Sequence, residues 1–372
     1  LLNRLATRLF PAMLVGVTGL TLLWQLTTTY APVRQPVLIR VMEQTHDGLP
    51  NSRAEILSKL SHVQATEAIR TRLSTNDFWF GFNVQAPLPS HPWLIDFPSR
   101  HISTVSCWEQ LTDEFIGQAS RASVGGQFVA SSAGFALRRS AQQGEAVLLC
   151  RANFRGPAEM TVNSLTVDAW QSAHNAHQKT GALIEAGIGV LAVFMLLTAI
   201  VNRSGLYWVF SGWLLLNMRM AAVSAGTDFE LFGLAIAHSL VIDIRQWTVC
   251  IYPVMTVALF NLLFKEELAN IKSKTALTGL QLAAVLLVVV CPFLSFEQML
   301  RTLWVATTAG VVIILGYLVL ILRQAHSRVA VWYAASIALT LTGSMSEVIV
   351  AATGQRELLV GINSVTAAIA SA

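Results

Sequence analysis

The fold class this sequence predicts is a membrane α-helical bundle with an all-β sandwich mounted on one side of it, and three observations predict it. Hydrophobic residues make up 54% of the chain and charged residues only 12%, about half the charge of an ordinary soluble domain, and the mean hydropathy is +0.56. Seven apolar stretches, each a candidate to cross a hydrocarbon core of roughly 30 Å, crowd into residues 181–372. Between these and a lone apolar stretch near the N-terminus lies a polar block with many short β-type runs. The chain thus divides into an N-terminal anchor over residues 1–29, a sandwich over 30–179 and a seven-helix bundle over 180–372.

The spans fall at 9–28, 181–202, 205–224, 245–264, 276–297, 302–322, 329–351 and 357 onward. Arg4 and Arg8 precede the first one. If they stay inside the cell, the sandwich emerges outside, and the connections carrying Arg203, then Lys265, Lys272 and Lys274, then Arg323 and Arg328 all face inward. The opposite connections carry Asp228, Glu230 and Asp243, then Glu297 and Arg301, then Arg356 and Glu357. This is the bias of the positive-inside rule, so the net charge of +4 argues orientation rather than nucleic-acid binding. A cleaved signal peptide is the rival reading of residues 4–28, but no small-residue cleavage site follows Trp24, and a retained anchor is expected. The last stretch gives about 24 Å of helix, short of the core thickness, so a continuation into the cell interior is expected.

In the sandwich, strands are expected at Pro36–Gln44, Phe78–Gln85, Trp93–Phe97, Ile102–Glu109, Gln127–Ala130, Gly134–Arg139, Glu145–Phe154 and Met160–Ala169, separated by Gly, Pro, Asn and Ser signals. Alternation is clearest over 37–43 and 160–167, which predicts antiparallel strands with one wet face. One helix is expected between them. Asn51 or Ser52 caps it, ahead of Ala54, Ile56, Leu57 and Leu60 at helical spacing.

Several runs carry a family resemblance. Phe78-Trp79-Phe80-Gly81-Phe82-Asn83, His91-Pro92-Trp93-Leu94-Ile95-Asp96-Phe97, Ile102-Ser103-Thr104-Val105 and Val147-Leu148-Leu149-Cys150-Arg151 are similar to the strand pattern of the second type of extracellular domain on seven-transmembrane receptors with diverse intracellular signalling modules. The helical half resembles the same family's bundle, through Glu185, Gly205-Leu206-Tyr207-Trp208-Val209-Phe210 and Gly226-Thr227-Asp228-Phe229. The resemblance implies a bacterial inner-membrane receptor with a jelly-roll domain in the periplasm. It also implies a cytoplasmic diguanylate cyclase, cyclic-di-GMP phosphodiesterase or histidine kinase, and a homodimer, because such outputs act as pairs. No output signature occurs in these residues: Gly125-Gly126-Gln127-Phe128 lacks the acids of a cyclase motif and reads as a hairpin glycine pair.

Ionisable groups in apolar spans need a wet cavity, a partner or a route to the interface. Glu185 lies about 6–8 Å below the outer end of its span, Arg219 about 21 Å and Glu347 about 27 Å up from the inner ends of theirs, all in the outer half. They can line an outward pocket for a small anion or zwitterion, or form a paired lock between helices. Trp79, Trp93 and Trp108 can stack on a sugar face, or can be core. Cys107 and Cys150, in strands outside the cell, can pair if their Cα atoms come within about 7 Å, or stay as two buried thiols. Cys250 and Cys291, inside spans, read as small apolar residues. His174 and His177 have i, i+3 spacing but no third ligand, so they predict a polar connection and no metal.

No catalytic motif, phosphate loop or Cys-x-x-Cys pair is present, and neither a cofactor nor a nucleic-acid partner is expected. The expected partners are membrane lipid, a second copy, and an outer ligand that is a small molecule, a carbohydrate or a periplasmic protein. A transporter or channel subunit with an outer capture domain is the alternative, but no internal repeat supports it. A membrane enzyme is a third possibility, and its acids lack metal-ligand spacing.

Overall fold

The computed structural model describes residues 35–44, 52–88, 91–99, 101–131, 134–140, 145–225, 238–271, 274–324, 337 and 341. The expected spans at 9–28 and from 357 onward lie outside the described residues, as do almost all of 329–351 and, with it, Glu347.

The β half comprises β1 (Gln35–Pro36), β2 (Ile39–Gln44), β3 (Ile69–Arg70), β4 (Asp77–Gln85), β5 (Trp93–Phe97), β6 (Ile102–Glu109), β7 (Phe115–Ser120), β8 (Phe128–Ser131), β9 (Gly134–Arg139), β10 (Glu145–Phe154), β11 (Glu159–Met160) and β12 (Asn163–Thr166). Two five-stranded sheets form, in the orders β1-β12-β5-β9-β8 and β2-β4-β10-β6-β7, with β11 and β3 as a small separate ribbon. Every pairing is antiparallel. Side chains from both sheets close one apolar core, with Phe80, Phe154, Trp93, Ile95, Leu137 and Leu148 almost wholly buried. Removal of this much aromatic and aliphatic surface from water is the main force holding the two sheets together.

Helix α1 (Arg53–Ser61) starts where the sequence places it. The Ser52 hydroxyl accepts from the Glu55 backbone N–H at 3.3 Å, and Ile56 and Leu60 point into the protein. Four strand expectations need correction. β3 has no counterpart among the expected strands, and Pro36–Gln44 divides into β1 and β2, which belong to different sheets. β7 has no counterpart among the expected strands, because Gly, Gln, Ala and Ser make up most of Phe115–Ser120 and mute its alternation. The run 160–167 does not have a wet face, since residues 160 to 165 are all buried. Nor does the strand reach Ala169: the Thr166 hydroxyl accepts from the Ala169 N–H at 3.3 Å, and a helix begins at Val167 with Asp168 in its first turn.

That helix, α2 (Val167–Asn202), is 36 residues long. The helical half continues with α3 (Gly205–Ala225), α4 (His238–Leu263), the short α5 (Lys265–Ala269), α6 (Thr275–Val290), a 3-10 turn (Cys291–Phe293) and α7 (Phe296–Gln324). Among the described residues, four segments are long and apolar enough to cross a membrane: Glu185–Asn202, Asp243–Leu263, Thr275–Phe293 and Phe296–Ile321. α3 is not one of these four, and Asn217 and Arg219 interrupt its apolar run. On α2 the residues Val190, Val193, Phe194, Leu197 and Val201 form an exposed apolar stripe at helical spacing, and Leu282, Leu286 and Val289 do the same on α6. Such faces are stable against lipid and costly against water.

Candidate functional site

The three sequence-predicted tryptophans separate. Trp93, on β5, is 1% exposed and belongs to the core between the sheets. Trp79 and Trp108 lie on the opposite face of the other sheet, under α1, with ring centroids 5.7 Å apart and an interplanar angle of 30°. Trp108 also meets Phe115 at 5.6 Å, and the Arg53 guanidinium stands 5.1 Å from its ring centroid. The Trp79 indole N–H donates to Gln44 Oε1 at 2.7 Å, and Arg151 lies over its ring while pairing with Asp77. Trp79 is buried and Trp108 half-buried, whereas Phe115 is 53% and Leu111 83% exposed. The open aromatic surface is therefore Trp108 with Phe115, at one end of the sheet.

Cys107 and Cys150 face each other on β6 and β10 and are joined by a disulfide, with Cα atoms 4.1 Å apart. That spacing suits directly opposed residues on antiparallel strands.

In the bundle, Ser211 Oγ donates to the Ala192 carbonyl at 2.9 Å, which sets the level of α3 against antiparallel α2. From there, Glu185 lies seven residues back along α2 and Arg219 eight residues forward along α3. Both steps run toward the sandwich, by about 10 and 12 Å at 1.5 Å per residue. The two side chains thus occupy one level in the half of the bundle nearer the sandwich, and the guanidinium nitrogens of Arg219 are buried.

Sequence reasoning passed over the network beside them. Asn217 is 1% exposed; its Nδ2 donates to the Trp213 carbonyl at 2.8 Å and its Oδ1 accepts from the Tyr252 hydroxyl at 3.2 Å. Trp213 Nε1 donates to Thr256 Oγ1 at 3.1 Å, linking α3 to α4 a turn further on. The available signal was Asn217 itself, a polar amide two residues from Arg219 in an apolar run. An arginine at this depth, level with a carboxylate, can hold an anionic or zwitterionic group through its planar fork of donors.

The joint between the two halves was also missed. Trp170, in the first turn of α2, donates its indole N–H to Ser131 Oγ at 3.2 Å, and that hydroxyl donates to Asp96 Oδ1 at 3.0 Å. Asp96 is 4% exposed, on the face of β5 turned away from the core. His174 stacks on Trp170 with centroids 5.3 Å apart and 9° between planes, one turn along the helix. His174 and His177 both lie within α2, and among the described residues no group of three His, Cys, Asp or Glu can hold a metal ion. A second contact lies at Gly156, whose φ of +99° favours glycine; a Cβ placed there would lie 3.5 Å from the Phe296 ring at the start of α7 and 2.7 Å from His101 Nδ1.

No model of a known protein family matches this chain, and no curated protein matches it.

Proposed function

We propose that this chain is the input half of a bacterial inner-membrane receptor of the seven-transmembrane type, with its sandwich, a jelly-roll-like domain, in the periplasm. A small molecule, carbohydrate or periplasmic protein meets the sandwich or the outward mouth of the bundle. It shifts a pre-existing helix equilibrium by binding one state more tightly than the other, and so changes a cytoplasmic output of cyclic-di-GMP synthesis or breakdown in a homodimer.

The observation that carries this reading is the continuity of α2. Strand β12 ends at Thr166 and the helix begins at Val167, so no flexible linker separates the sandwich from the first membrane segment. The bond from Trp170 through Ser131 to Asp96 fixes the helix start to the sheet. A capture domain for a transporter has no need of such a rod, whereas a receptor needs a stiff element to carry a displacement across the bilayer.

The test is a four-glycine insertion after Lys179 in the full-length protein, with cellular cyclic-di-GMP as the readout. Overproduction of the unaltered protein is expected to shift the cyclic-di-GMP level, and the insertion is expected to abolish that shift while Cys107 and Cys150 remain bonded. A shift that survives the insertion overturns transmission through α2; no shift from the unaltered protein overturns this output.

A further inference from the structure

Among the described residues one feature is explained neither by the sandwich nor by the network around Arg219. Cys250 on α4 and Cys291 in the 3-10 turn are both 0% exposed, and their sulfur atoms lie 2.8 Å apart. Non-bonded heavy atoms rest roughly 3.5–4.0 Å apart, and a disulfide holds its sulfurs at about 2.05 Å. The structure holds them as two free, buried thiols at a separation between those two distances, within a small movement of a bond.

The surroundings hold these two positions together independently of the sulfurs. Gln246, one turn before Cys250, donates from Nε2 to the Cys291 carbonyl at 2.7 Å. Leu287, Met299 and Leu303 close the cluster, so α4, α6 and α7 meet at this corner. The corner lies on the sandwich side of the bundle on two grounds. Counting alternate crossings from α2, the connection between α6 and α7 returns to that side; and the Phe296 ring, five residues after Cys291, lies beside the loop at Gly156, 3.5 Å from where a Cβ would stand. That side already carries the Cys107–Cys150 disulfide.

We infer that Cys250 and Cys291 form a second disulfide, which staples α4 to the turn between α6 and α7 at the outer end of the bundle. The inference rests on the sandwich facing an oxidising compartment. Thiol–disulfide exchange with an oxidant protein's disulfide forms it before the helices pack. The Cys291 thiolate attacks the oxidant's S–S bond and expels one thiolate. The Cys250 thiolate then attacks Cys291 Sγ in the mixed disulfide and expels the second. Two electrons and both thiol protons end on the oxidant's sulfurs, and one S–S bond has been exchanged for another.

The experiment lyses cells making the full chain directly into denaturant with excess N-ethylmaleimide and no reductant, and then maps the labels and any cross-linked peptides. The expected result is no label on any of the four cysteines, with one cross-linked peptide pair holding Cys250 and Cys291. Labels on Cys250 and Cys291 with Cys107 and Cys150 still bonded overturn this inference and leave the orientation standing. Labels on all four overturn both.

Discussion

The two sheets of the sandwich differ most on their outer faces. In the sheet β1-β12-β5-β9-β8, all five residues of β5 and Asn163, Ser164 and Leu165 of β12 are buried, because the first turns of α2 lie against these strands. In the sheet β2-β4-β10-β6-β7, exposed residues recur along the strands at Asn83, Gln85, Glu145, Arg151 and Phe115, and α1 covers only the part around Trp79. One sheet is therefore committed to the membrane helix while the other keeps a free face. In the receptor proposed above, a ligand from outside would meet the second and a displacement would leave through the first.

Four substitutions sharpen that contrast, taken from the largest effect to the smallest. Trp93→Ala, in the core between the sheets, is expected to lower the stability of the sandwich by about 3–5 kcal/mol, against less than half of that for the partly open Trp108→Ala. Denaturant melts of the two variants check this, and equal losses would dissolve the distinction between core and surface tryptophans. Trp170→Phe keeps the ring's bulk and removes the N–H that reaches Ser131. It is expected to cost about 1 kcal/mol and to speed hydrogen exchange in the first turns of α2; unchanged exchange there would mean that the bond does not hold the helix to the sheet. Arg53→Ala removes an ion pair to Asp113 at 2.6 Å whose side chains are 39% and 69% exposed, and is expected to change stability by less than about 1 kcal/mol. Its measurable consequence is faster acrylamide quenching of Trp108 fluorescence, since the guanidinium over that ring is gone.

The same contrast explains what was legible in the sequence. Strands β4, β5, β6, β9 and β10 stand within a residue of where turn residues and β-type runs place them, because alternation and Gly or Pro punctuation are local signals. Val37–Glu43 shows the expected in-out pattern, across the break at Val37 and Leu38 that separates β1 from β2. The run 160–167 misleads for a tertiary reason: its polar members Thr161, Asn163 and Ser164 are buried by neighbouring strands and by α2. Polarity in a sequence marks a wet face only when nothing else packs there. The break between strand and helix at Thr166 depends on one capping hydroxyl, which the apolar pattern around it hides.

The site divides in the same way. Glu185 and Arg219 stand out in the sequence because charge in an apolar run is costly, yet their common level follows from a single hydrogen bond between α2 and α3. The tryptophans were recognisable as aromatic β residues, but their separation into one core ring and two stacked outer rings is a matter of which way each strand faces.

By itself the sequence determined the division into a β-rich half and an apolar helical half, the start of α1 at Asn51 or Ser52, and the positions of Glu185 and Arg219 within their apolar runs, since all of these follow from composition and periodicity within a segment. Only the tertiary structure decided that β12 runs into α2 without a linker, that one sheet is covered and the other open, and that two pairs of cysteines face each other across 43 and 41 residues of chain. The physical reason is that such pairings join residues distant in sequence, where local propensity is silent and packing selects the neighbours.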